Sequence, residues 1–363
     1  MSRTLLEVTW RGQAGVCRVL AAACVMVACA TDQREEPSSA TLTVTLGPEV
    51  TSEPSSEGGS EAATEAQTSA ADSGGEKLDV GGGTGMMEGG DTTLGCKKVD
   101  LLFVVDGSGS MADEQANLLT AFPAFIDTMR TELDGAEGYN VGVIRTDGND
   151  ISCEPGRYGV LVTRNYAAGS SNTTCTPYAS GARYMTQDDD LPSKFSCAAR
   201  VGIGGDGDEQ PMQSIIAALT PPNTDAGECN DGFLREDALL VLVIITDEED
   251  DHETMEEACG NTPSMGSAGE PQDWFDAIVA AKGGIETNVV VLSLVGTAAP
   301  EQCPPLDKCD NGVDGAEQAP RLIGFTWMFS HGHVGPVCGD YQPFFLEAVA
   351  DIKAACEEFV PPG

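Results

Sequence analysis

The sequence predicts an α/β domain built on a doubly wound, mostly parallel sheet. Three observations predict it. Continuous apolar runs such as Leu101-Leu102-Phe103-Val104-Val105 and Leu239 to Ile245 read as strands covered on both faces. Stretches between such runs carry apolar residues at helical spacing. The two kinds of segment alternate, and that order builds parallel sheets. Hydrophobic residues make up 41% of the 363, enough for a substantial core.

The chain opens differently. Arg3, Arg11 and Arg18 precede a short apolar run, Val19 to Ala28. The run is too short to span a bilayer and reads as a signal-peptide core. Its end, Met26-Val27-Ala28-Cys29, resembles a bacterial lipobox. That resemblance implies a signal over 1–28 and a diacylglycerol on the thiol of Cys29. Ala21-Ala22-Ala23-Cys24 is a second candidate, and an ordinary secretory signal is the alternative. Each of these exports the protein. Two or three acyl chains anchor firmly, whereas one does not. Ala30 is not the aspartate associated with inner-membrane retention, which favours the outer membrane or cell surface.

Residues 29–95 are rich in Ser, Thr, Glu, Gly and Ala, with few large apolar side chains. Such a segment cannot offset its ordering entropy, so a disordered acidic linker is expected. Ala40 to Leu46 alternates like a strand but has no partner to pair with.

The folded part is expected over 96–360. Val99 to Val105 is its first strand. Asp113 to Met129 is a helix with Leu118, Leu119, Phe122, Phe125, Ile126 and Met129 on one face. Pro123 inside it implies a kink or a late start. Tyr139 to Thr146 is a strand, Glu209 to Leu219 a helix, and Leu239 to Ile245 the strongest buried strand. Gln272 to Lys282 is a helix, Asn288 to Val295 a strand and Phe344 to Glu358 the last helix. The stretches Asp147 to Arg200, Pro221 to Asp237 and Gly296 to Gly339 read as loop insertions.

Charge and cysteines narrow the function. A formal charge of −39 disfavours nucleic acid and acidic membrane surfaces as partners. Of 13 cysteines, ten lie beyond residue 95 at wide spacings and without a CxxC pair. That pattern points to disulfides in an oxidising compartment, stapling the insertions.

In open α/β sheets ligands bind at the carboxyl ends of strands. The first strand runs straight into Asp106-Gly107-Ser108-Gly109-Ser110, and the central strand into Thr246-Asp247. A carboxylate and two hydroxyls on alternate residues of a tight loop suit a hard cation that keeps several waters. Gly107 and Gly109 are expected to permit the turn. This combination resembles the metal-ion-dependent adhesion site of von Willebrand factor A domains, over roughly Val99 to Phe359. The resemblance implies that Asp106, Ser108 and Ser110 hold a divalent cation, with Asp247 reaching it through water. Mg²⁺ is the first expectation, with Mn²⁺ and Ca²⁺ as alternatives. It also implies an extracellular or periplasmic protein ligand that presents an acidic side chain. The ends of this fold are adjacent, so Cys96 and Cys356 are expected to pair.

One feature departs from the family, which places a metal-binding threonine in a loop before a helix. The matching stretch, Gly204 to Pro211, has none. Either Asp206 or Asp208 substitutes, or the acids only complement a helix N-terminus. A substitute carboxylate would favour Ca²⁺ or Mn²⁺ and weaken the pull on an acidic ligand.

Other signals read as structural. The run Asp247 to Glu253 suits a second cation but reads as a solvated loop crest. Asp307 to Gly315 lacks the spacing of an EF-hand. His331-Gly332-His333 reads as a loop, and Trp274-Phe275 as core. No nucleophile elbow, P-loop or strand-linked Gly-x-Gly-x-x-Gly is present, so no enzymatic activity is expected. A metal-stabilised envelope scaffold is the alternative function, and a metal-dependent hydrolase the third.

Overall fold

A computed structural model describes residues 95–361, apart from 134–135, 149–152, 154, 206, 256, 259–262, 301 and 307–314. The expected signal, linker, Cys29, Asp206 and most of the Asp307 to Gly315 stretch lie outside the described residues. Residue packing divides the chain into Met1–Gly83 and Thr84–Gly363, and every described residue belongs to the second unit.

The strands are β1 (Lys98–Val105), β2 (Gly138–Arg145), β3 (Arg164–Asn165), β4 (Thr173–Thr174), β5 (Met185–Thr186), β6 (Leu239–Ile245), β7 (Val289–Val295) and β8 (Gly332–Pro336). The helices are α1 (Ala112–Glu132), α2 (Leu191–Ala199), α3 (Pro211–Leu219), α4 (Pro271–Ala281), α5 (Pro320–Thr326) and α6 (Tyr341–Glu358). Six strands form the main sheet in the order β5-β2-β1-β6-β7-β8, and β3 pairs with β4 separately. Every pairing in the main sheet is parallel except β2 with β5.

Side-chain alternation along β1 explains the double winding. Leu101, Phe103 and Val105 enter one core with residues of α1, α2 and α6. Leu102 and Val104 enter the other with residues of α3, α4 and α5. A strand buried on both faces reads as a nearly continuous apolar run. In the first core the Phe103 ring meets Phe122, Phe125 and Phe195 edge-on. In the second, Trp274 is fully buried and its indole N–H donates to the Ala268 carbonyl at 2.8 Å.

Four helices, α2 to α5, carry proline in their first turn, where the missing N–H would have had no intrahelical partner. Helix α1 runs through Pro123 instead of starting after it. Two stretches read as insertions contribute regular elements. Asp147 to Arg200 supplies α2 and the edge strand β5, and Gly296 to Gly339 supplies α5 and the opposite edge strand β8. His333 therefore lies in a strand and not in a loop. Its ring faces Asp351 (3.0 Å) and Glu347 (3.6 Å) of α6.

Four disulfides join described residues: Cys96–Cys356, Cys153–Cys229, Cys175–Cys197 and Cys303–Cys338. The first ties the segment just before β1 to the last helix, as expected. At the amino end of β1, buried Asp100 accepts from the Arg235 backbone N–H and its Nε, each at 2.7 Å. Burial outweighs this pairing and pushes the Asp100 carboxyl from 3.8 up to about 6.

Candidate metal centre

The sheet order reverses at β1. The chain moves from β1 outward to β2 and later returns to place β6 on the other side. Parallel neighbours with helices on opposite faces leave a crevice at their carboxyl ends. Asp106 and Thr246-Asp247 stand at those ends, and the Asp106 N–H donates to the Ile245 carbonyl at 3.1 Å. Topology thus brings together residues 140 positions apart.

Asp106 is fully buried. Its Oδ1 accepts from the Ser108 N–H at 2.6 Å and its Oδ2 from the Thr246 hydroxyl at 2.6 Å. The first bond folds the loop back on its own aspartate. It places the Ser108 hydroxyl 3.2 Å from that of Ser110 and 3.5 Å from Asp247 Oδ1. Ser110 is half-buried, while Asp247 is fully buried. The four residues expected at the centre therefore converge.

Gly107 serves an end other than a positive-φ turn. Neither Gly107 nor Gly109 has a positive φ. A Cβ at Gly107 would lie 2.8 Å from Arg145 Nη2, whereas one at Gly109 would meet nothing within 4 Å. Gly107 thus makes room for Arg145, whose Nε and Nη2 donate to Asp147 at 2.8 and 3.2 Å.

The segment 202–210 is clasped to this loop by backbone ties. The Gly205 N–H donates to the Gly107 carbonyl at 2.9 Å, and the Gln115 amide bridges the carbonyls of Asp106 and Gly202. Asp208 turns away. Its carboxylate accepts from the Ser264 hydroxyl, the Met265 N–H and the Gln210 amide. Glu209 turns inward: it is buried, and its Oε2 accepts from the hydroxyl of Thr146, which follows the Arg145 that pairs with Val105 at the end of β1. Reading the sequence for acids near a lost threonine singled out Asp206 and Asp208 and passed over Glu209. The only local signal was its place directly before Gln210-Pro211, the start of α3.

Burial pushes the Asp106 carboxyl up, against its hydrogen bonds from Thr246 and Ser108. Glu209 is pushed well above the usual range, first by burial and then by the charge of Asp106. Glu114, in the first turn of α1, rises to about 8 through burial and the neighbouring Asp113. The centre thus gathers carboxyl groups whose burial favours their protonated forms when no cation is beside them.

The acidic run after Asp247 is not a solvated crest. Glu249 accepts from the N–H groups of Arg321 and Leu322 and so caps α5. Asp250, fully buried, accepts from the Met212 N–H at the start of α3 and from the N–H and hydroxyl of Ser267. These acids fix two helix starts beside the centre.

Do these residues fit a divalent cation? Among the described residues, no three His, Cys, Asp or Glu side chains are grouped to hold a metal. The centre instead combines Asp106 with hydroxyls, an oxygen set that suits a hard cation retaining waters. One buried atom supports the fit: Glu209 Oε1 meets no hydrogen-bond donor. A buried carboxyl oxygen in that state is available to a cation.

No protein-family model and no curated protein matches the sequence. Solved structures show distant likenesses. Proximal thread matrix protein 1 from the mussel byssus aligns with a TM-score of 0.34 at 10% identity, over 71% of this chain and 49% of that one. A form of the same protein with a zinc-occupied MIDAS motif aligns at 0.28 and 11% identity, over 55% and 39%. The human COPII-coat protein Sec24c aligns at 0.29 and 11%, over 72% and 33%. The chain spans half or less of the length of these proteins. The strand order, register and two-sided core described above therefore carry the α/β assignment.

Proposed function

We propose that this chain is an exported protein whose described domain is of the von Willebrand factor A type. It binds a divalent cation at the Asp106 centre and, through that centre, a protein ligand, without catalysing a reaction. Lipid attachment at Cys29 belongs to the same reading. The observation that carries it is the convergence of Asp106, Ser108, Ser110 and Asp247 at the switch point of the sheet. Four disulfides among the described residues support an oxidising compartment. No helix among the described residues is long and apolar enough to cross a membrane.

A bound cation supplies a Lewis-acidic contact point, and the chain's own residues do the rest. Asp106 and the hydroxyls of Ser108 and Ser110 hold it, with Mg²⁺ the first expectation. Thr246 fixes the Asp106 carboxylate by its 2.6 Å bond. Half-buried Ser110 marks the side open to a partner. Calorimetric titration of the full chain, disulfides intact, with Mg²⁺, Mn²⁺ and Ca²⁺ tests this reading. Binding that vanishes in Asp106→Ala is the expected result; equal binding in that variant refutes the centre.

The burial of Asp106 and Asp247 favours a second reading, in which the ion serves only as a structural staple. Chelation separates the two. It releases a bound protein under the first reading and only lowers the melting temperature under the second.

A further inference from the structure

The segment 202–210 delivers a carboxylate that the Asp-x-Ser-x-Ser pattern does not account for. Glu209 is 1% exposed, and its Oε1 is buried without a donor. Its other oxygen is taken by the Thr146 hydroxyl. Across from it, both oxygens of Asp106 already accept bonds, from the Ser108 N–H and the Thr246 hydroxyl. Arg145 donates to Asp147 and to the Val201 carbonyl. Two buried carboxyl groups on neighbouring segments, one of them with an oxygen that meets no donor, need a positive charge or a shared proton to coexist.

The placement of Glu209 does not depend on an ion. Gly205 to Gly107, Gln115 to Gly202 and the Gln210 N–H to the Thr146 carbonyl (3.1 Å) tie the segment down on both sides of it. Its carboxyl is therefore held at the end of β1 through Thr146, which follows the Arg145 paired with Val105. The Ser108 and Ser110 hydroxyls on the same loop complete an oxygen set suited to a hard cation.

We propose that Glu209 is a cation-holding residue of the Asp106 centre, a built-in second carboxylate that clamps the ion between the β1 loop and the 202–210 segment. This rests on the reading of that centre as a cation site. The added negative charge retains the ion when no partner is bound. It also lessens the pull on an acidic side chain from a ligand, so recognition falls to the surrounding loops.

The test uses the full chain with disulfides intact, stripped by chelator and titrated calorimetrically with Mn²⁺ and Ca²⁺. Wild type, Asp106→Ala and Glu209→Gln are compared. Glutamine keeps the size of the side chain and an oxygen for Thr146. Groups that only orient metal ligands cost about 10- to 100-fold in affinity when lost, so Glu209→Gln is expected to weaken binding at least about ten-fold. The rise in melting temperature on adding Mn²⁺ should shrink in parallel. If Glu209→Gln binds like wild type while Asp106→Ala does not, the proposal is overturned: the pair shares a proton, and the centre still stands as a cation site. If wild type binds neither ion, both readings fall. Should Glu209→Gln lose its cooperative melt in chelator, Glu209→Thr is judged by the same criteria.

Discussion

Asp100 makes stability depend on pH in an unusual direction. It sits at the amino end of β1, away from the metal centre, and is fully buried against Arg235. Folding raises its carboxyl from 3.8 to about 6, with burial as the largest cause. Between these values the folded state binds more protons than the unfolded state. Stability from this group is therefore fully present below pH 3.8 and is lost as pH rises through about 6. A shift of about two pKa units corresponds to roughly 3 kcal/mol in full, and to about 2 to 2.5 kcal/mol between pH 4 and 7. The perturbation is Asp100→Asn, which keeps the shape and removes the titration. Urea unfolding of both proteins in chelator, at pH 4 and pH 7, gives the stability difference at each pH. That difference should move by about 2 kcal/mol in favour of the variant on going to pH 7. A difference that stays constant, or moves the other way, would mean that the Arg235 ion pair outweighs desolvation and that the reasoning fails.

Three further outcomes follow from the packing. Gly205→Ala would set a Cβ 2.7 Å from the Gly107 carbonyl oxygen, so the segment must shift, at about 1–3 kcal/mol, with weaker Mn²⁺ binding; melting and titration check both. Asp250→Ala strands the donors of Met212 and Ser267, and at about 1–3 kcal/mol for each unsatisfied buried group a loss of about 3 kcal/mol or more is expected in urea. Phe103→Ala empties the meeting point of three aromatic rings and should cost about 3–5 kcal/mol by the same measurement.

How much of this was legible in the sequence varies by element. Strands β1, β2, β6 and β7 announce themselves, because strands buried on both faces are mostly apolar along their length. Strand β8, Gly-His-Val-Gly-Pro, gives no such signal. It lies at the sheet edge, and Gly335 is small because a Cβ there would sit 2.4 Å from the Phe344 ring. Its identity depends on a helix that follows it, not on its own composition. The run Asp247 to Glu253 departs from its local pattern for a related reason. Dense charge reads locally as solvated surface, yet Glu249 and Asp250 answer the unpaired N–H groups of helices that start at residues 320 and 211.

The sequence by itself determined the α/β class, the four central strands and the loop that carries Asp106, Ser108 and Ser110. Those features rest on periodicity and near-neighbour geometry, which are local. Only the tertiary structure decided that Glu209, and not Asp208, turns toward Asp106. The two are adjacent acids of nearly equal chemistry. Which one is buried depends on Thr146, just past β2, meeting one of them and Ser264 and Met265 meeting the other. Contacts between residues so far apart in the chain are set by the packing of the sheet, and no local pattern encodes them.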